Sequence, residues 1–121
     1  MFYILGGDDG HTPVKCAIET WERFMKRIAD RRVGLTLFRG GPFGEVRIST
    51  VFVGVAIDDT APAPLVFETL VTGGPMDGHV AKASTWEEAV TLHDSISLAV
   101  KQIGEIAMRE RERADGRDPR V

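Results

Sequence analysis

The sequence is poor in the residues on which whole classes of protein depend. It has one cysteine, Cys16, in 121 residues, so an intrachain disulfide and a cysteine-based zinc site are excluded and a reducing compartment is expected. Its histidines, His11, His79 and His93, share no metal-ligand spacing, and neither a metal nor another cofactor is expected. No apolar run approaches the roughly 18 residues of a membrane span. The longest, residues 51–57, is interrupted by Gly54 and stops at Asp58-Asp59. The opening Met1-Phe2-Tyr3-Ile4-Leu5-Gly6 lacks the basic start and long apolar stretch of a signal peptide, and the expectation is a cytoplasmic protein. A net charge of only −3 favours neither nucleic acid nor an anionic membrane as partner. The glycine-rich stretches 6–10 and 40–44 lack the Lys-Ser/Thr pair that ends a phosphate loop and read as turns.

What is present suffices for one domain. A 43% apolar and 27% charged composition is ordinary for a globular chain, and a chain of this length buries roughly 60–68% of its unfolded surface. Residues 2–5 read as a short strand closed by a glycine turn. Ile18, Trp21, Met25 and Ile28, with Phe24 beside them, recur at spacings of three and four, predicting an amphipathic helix over about 17–30. Strands are expected over 32–38, 45–57, 65–71 and, as a short edge, 79–83. The segment 51–57, apolar at consecutive positions, predicts a central strand covered on both faces, with a bulge near Ser49-Thr50 where the alternation changes phase. Ser84-Thr85-Trp86-Glu87-Glu88 carries a capping box, and the stripe Ala89, His93, Ile96, Val100, Ile103 and Ala107 extends a helix to about 109. Gly104 in its interior suggests close backbone packing. The expected fold is α+β: an antiparallel sheet of about four or five strands packed against one N-terminal helix and a long C-terminal helix. Residues 1–108 form the domain, and 109–121 a charged, disordered tail.

Few residues carry candidate chemistry. Glu68 lies within an apolar strand, where a carboxylate needs a partner such as Arg47 or Lys82, or a raised pKa. It reads as a solvent-facing or cross-strand-paired residue or, functionally, as a ligand contact or a general base, forming with His93 a weak acid–base couple. His93 falls on the stripe assigned to the core, where a lone histidine is usually neutral and hydrogen-bonded. Arg23, Lys26, Arg27, Arg31 and Arg32 form the one basic cluster, read as a solvated helix face or as a receiver of phosphate oxygens. Cys16 precedes a helix but has no histidine beside it in sequence, and catalysis through it is not expected.

The segments Ser49-Thr50-Val51-Phe52-Val53-Gly54, Phe67-Glu68-Thr69-Leu70-Val71 with Gly73-Gly74, and Ser84-Thr85-Trp86-Glu87-Glu88-Ala89 with His93 occur in this order, after Trp21 and Phe24. In this the chain resembles a family of small phage- and prophage-encoded proteins without an assigned function. The family's central strand ends in Asp-His where this chain has Ala56-Ile57, a departure that argues against catalysis. The resemblance implies a phage accessory protein acting in the cytoplasm of an infected host. Some phage proteins of this size counter host defence by trapping cyclic nucleotide signals. The leading expectation is therefore a non-enzymatic homo-oligomeric binding module that sequesters a small anionic, nucleotide-like ligand. Its candidate contacts are Arg31, Arg32, Thr50, Phe52, Glu68, Thr69 and His93. The alternative is an inhibitor or assembly factor that binds another protein, which requires an exposed apolar surface.

Overall fold

A computed structural model describes residues 1–57 and 63–115. The order of elements is β1 (Phe2–Gly6), β2 (Thr12–Cys16), α1 (Ile18–Met25), α2 (Ile28–Arg31), β3 (Arg32–Gly41), β4 (Gly44–Phe52), β5 (Phe67–Thr72), β6 (Val80–Ala83) and α3 (Trp86–Ala114). β1 and β2 form an antiparallel hairpin, and β3-β4-β5-β6 form a four-stranded antiparallel sheet in chain order. The α+β class, with a short N-terminal and a long C-terminal helix, is thus observed. Among the described residues no helix is long and apolar enough to cross a membrane.

The sheet carries α3 on one face only. Alternation along β4 buries Val46, Ile48, Thr50 and Phe52 and turns Glu45, Arg47, Ser49 and Val51 the other way; β5 buries Phe67, Thr69 and Val71 and turns Glu68, Leu70 and Thr72 outward. The register pairs Ile48 with Val71, Thr50 with Thr69 and Phe52 with Phe67, so like residues form rows across the covered face. The upper rows join Leu5, Phe24, Val66 and Ala89 in one apolar cluster, and the lower rows join Ile96 and Val100 in a second. Phe24, Phe52, Phe67 and Trp86 meet edge-on in the upper cluster, with centroids 5.9, 5.2 and 6.1 Å apart, each such pair adding about 0.5–1.5 kcal/mol beyond area burial.

Several expectations are corrected. The segment 51–57 is not buried on both faces: β4 ends at Phe52, and Ile57 is 98% exposed. Beyond Phe52 the chain turns toward β1, where Tyr3 N–H donates to the Gly54 carbonyl at 2.8 Å and Val55 bridges Phe2. Gly54 takes φ +68°, and a Cβ there would lie 2.6 Å from the Tyr3 carbonyl oxygen, so the turn requires glycine. The bulge lies on β3 and not on β4, because the register jumps between Arg32 and Gly34 against Val51 and Thr50. The single helix over 17–30 is two helices. Arg27 N–H reaches back to Phe24 at 2.9 Å in a tight final turn, and the Arg31 guanidinium takes the Met25 carbonyl at 3.1 Å. Residues 12–16, for which no strand is expected from the sequence, form β2. α3 continues to Ala114, where charges at Glu105/Arg109 and Glu110/Arg113 fall at helical spacings; residues 116–121 lie outside the described part. A Cβ on Gly104 would meet nothing within 4 Å, so close packing does not account for that glycine.

Candidate functional site

Thr50, Thr69 and His93, all buried, come together in the middle of the covered face. Thr69 Oγ1 lies 2.6 Å from Thr50 Oγ1, which lies 2.7 Å from His93 Nδ1; His93 Nε2 lies 2.9 Å from Thr36 Oγ1. The row beneath the imidazole is built of short side chains, Gly34, Thr50, Thr69 and Ala81 in register, which leaves room for the ring. A Cβ on Gly34 would come within 3.0 Å of it. Burial lowers the His93 pKa, opposed in part by the charge of Asp94. Both ring nitrogens have hydroxyl partners, so a neutral imidazole donates through one and accepts through the other, and neither is left to meet a substrate. This band of polar groups lies between the two apolar clusters and ties β3, β4, β5 and α3 in one register.

The other candidate residues do not join it. Phe52 is fully buried in the upper cluster. Arg31 donates through Nε to the Phe52 carbonyl at 3.1 Å as well as to Met25, and burial lowers its pKa; its work is to fasten α2 to the end of β4. Arg27 is paired with Asp30 at 2.6 Å, and the basic cluster is thereby split. Glu68 lies on the outer face of β5, directly opposite Lys82 in register, while Thr69 and His93 lie on the inner face. The suggested Glu68–His93 couple is not formed. Nor do the seven candidate residues make one pocket.

Two features were missed. Trp86 and His11 stack at 3.6 Å with parallel rings, forming a wall of a cleft of about 430 Å3 that also receives Asp9, Arg27, Asp30 and Arg32. The loop holding His11 is shaped by its N–H donating to Asp9 Oδ1 at 2.8 Å. Trp86 follows directly on the cap, in which Glu88 N–H donates to Thr85 Oγ1 at 3.1 Å and Glu88 Oε2 accepts from Ser84 N–H at 3.3 Å.

The second feature is the outer face of the sheet, on which none of the helices packs. Leu35, Leu37, Leu70 and Val80 are 37%, 36%, 41% and 44% exposed there. In register they form a row Leu35–Ser49–Leu70–Val80, a row Leu37–Arg47–Thr72 on one side, and a row Val51–Glu68–Lys82 on the other. The outer face therefore has an apolar middle with charges on both flanks. The signal was in the sequence: apolar residues at 35, 37 and 70 alternate out of phase with the core set. Among the described residues no cluster of three or more His, Cys, Asp or Glu could hold a metal ion. Comparison of the chain with known protein families, curated proteins and solved structures finds no match.

Proposed function

We propose that the protein works by binding another protein through the outer face of its four-stranded sheet, as an assembly or inhibitory module. The observation that carries this reading is the apolar row Leu35–Ser49–Leu70–Val80, part-exposed and covered by no helix among the described residues. An antiparallel sheet that faces water is usually polar on that side, and contiguous exposed apolar surface marks interaction sites. The inner face has no such freedom, since its polar groups are spent on one another.

The test places a photo-crosslinking amino acid at Ser49, in the middle of the face, and in a second chain at Glu105, exposed on α3. Irradiation of cells producing each chain is expected to give one discrete adduct from position 49 and none from 105. Adding Leu35→Asp to the first chain should abolish it. Equal labelling from both positions, or no adduct from 49, contradicts the reading.

A second reading keeps the small anionic, nucleotide-like ligand and moves it to the cleft beside Trp86 and His11. The stacked pair supplies an aromatic wall and Arg32 a guanidinium without an ion-pair partner among the described residues. It ranks second because Asp9 and Asp30 bring as many negative charges to the cleft as Arg27 and Arg32 bring positive ones. A melting-temperature rise with a nucleotide, lost in Arg32→Ala, would favour it.

A further inference from the structure

The occupant of the outer face follows from how its charges are arranged, an inference that rests on the protein-binding reading above. Take the row Leu35–Ser49–Leu70–Val80 as a line across the strands. Arg47 lies on one side of that line on β4, and Glu68, with Lys82 opposite it on β6, lies on the other side on the neighbouring β5. Arg47 and Glu68 are four residues apart along the strand direction, about 13 Å, and form no ion pair among the described residues.

Turning a second copy face-down about this line exchanges the two flanks and leaves each strand over its own counterpart. The apolar row then meets itself: Leu35 on Leu35, Leu70 on Leu70, Val80 on Val80, with the small Ser49 at the centre. Arg47 of each copy comes to rest beside Glu68 of the other, one strand over and one sheet spacing away. Strands about 4.8 Å apart and sheets about 10 Å apart put those Cα atoms roughly 11 Å from each other, a gap that an arginine and a glutamate span together. Each pair occurs twice, as a two-fold interface requires. A second copy offers Arg47 and Glu68 each a charge of opposite sign, and two-fold symmetry supplies the pair twice.

We propose that the outer sheet face is the contact surface of a two-fold homodimer, with the middle row in self-contact and Arg47 paired with Glu68 of the partner subunit. Four strands of 10, 9, 6 and 4 residues give a flat footprint of roughly 500 Å2 per copy. That places the total near 1,000 Å2, the lower bound for a specific interface, so a micromolar dimer is expected.

The experiment is sedimentation equilibrium of the full chain and three variants, from low to high micromolar concentration. The wild type is expected to be a monomer–dimer mixture shifting with concentration. Arg47→Glu and Glu68→Arg, each placing two like-charge pairs in the interface, should weaken association at least about tenfold. The double variant rebuilds both pairs with their signs exchanged and should recover dimerisation. Both side chains project from the outer face, and urea denaturation at low concentration should show all three variants folded. A wild type that stays monomeric throughout overturns the inference, as does a dimer indifferent to the single reversals or not restored by the double one. A position-49 adduct of a mass other than twice the chain would also overturn it, while leaving the protein-binding reading in place.

Discussion

The two faces of the four-stranded sheet are built from the same strands by the same alternation, yet they differ in what their side chains have left to offer. On the inner face every row has an answering layer: phenylalanines meet α1 and α3, and the threonines meet His93. On the outer face no helix answers the leucines and Val80 among the described residues, where Arg47, Glu68 and Lys82 stand at the flanks in no ion pair. Chemistry that looks functional in sequence, a histidine among threonines, is consumed by structure. The leucines at 35, 37 and 70 alternate out of phase with the core set and stay at the surface.

Substitutions along paired rows of the sheet sharpen this contrast, and urea denaturation at low concentration reads them. Phe52→Ala should cost the most, about 3–5 kcal/mol, because it opens a cavity amid edge-on aromatic contacts. Thr50→Val keeps the shape and strips hydrogen-bond partners from His93 and Thr69, an expected loss of about 1–3 kcal/mol. Leu70→Thr, on the exposed side, should change monomer stability by less than about 1 kcal/mol. A Leu70→Thr loss as large as that of Phe52→Ala would mean the outer face is covered within the single chain.

The polar band has its own signature in pH. Burial lowers the pKa of His93 in the folded protein relative to its ordinary value of 6.5. Between the two values the unfolded chain binds the extra proton. Stability from this residue is therefore full above about pH 6.5 and declines as pH falls toward the folded value, no more steeply than about 1.4 kcal/mol per unit for one proton. Urea midpoints of the wild type from pH 7.5 to 5, compared with those of His93→Gln, should show this slope only in the wild type. Parallel profiles would place His93 in water.

The helix cap, the edge strand β6 and the strands β4 and β5 were legible because each declares itself locally, by a capping box or a period of two. β2 was not. Pro13 and Lys15 have little strand character, and the strand exists because β1 pairs with it from Phe2–Cys16 to Gly6–Thr12. The apolar run at 51–57 misled for a related reason. Consecutive apolar residues fit burial on two sides, but they equally fit a strand that ends at Phe52 and a chain that then pairs with β1. As for the site, Thr50, Thr69 and His93 could be picked out singly. Their mutual contact depends on the β4–β5 register and on the space above Gly34, which no local pattern encodes. The opposite sidedness of Glu68 and Thr69 follows from alternation alone and was readable once the strand was placed.

The division of labour between the faces is tested most directly by amide NMR spectra of the wild type recorded over rising protein concentration. Resonances of Leu35, Arg47, Ser49, Leu70 and Val80 are expected to move together in a saturable way, while those of Ile96, Ser97 and Val100 on α3 stay fixed. Shifts centred on the helix, or none at all up to high micromolar concentration, would contradict self-association through the uncovered side of the sheet.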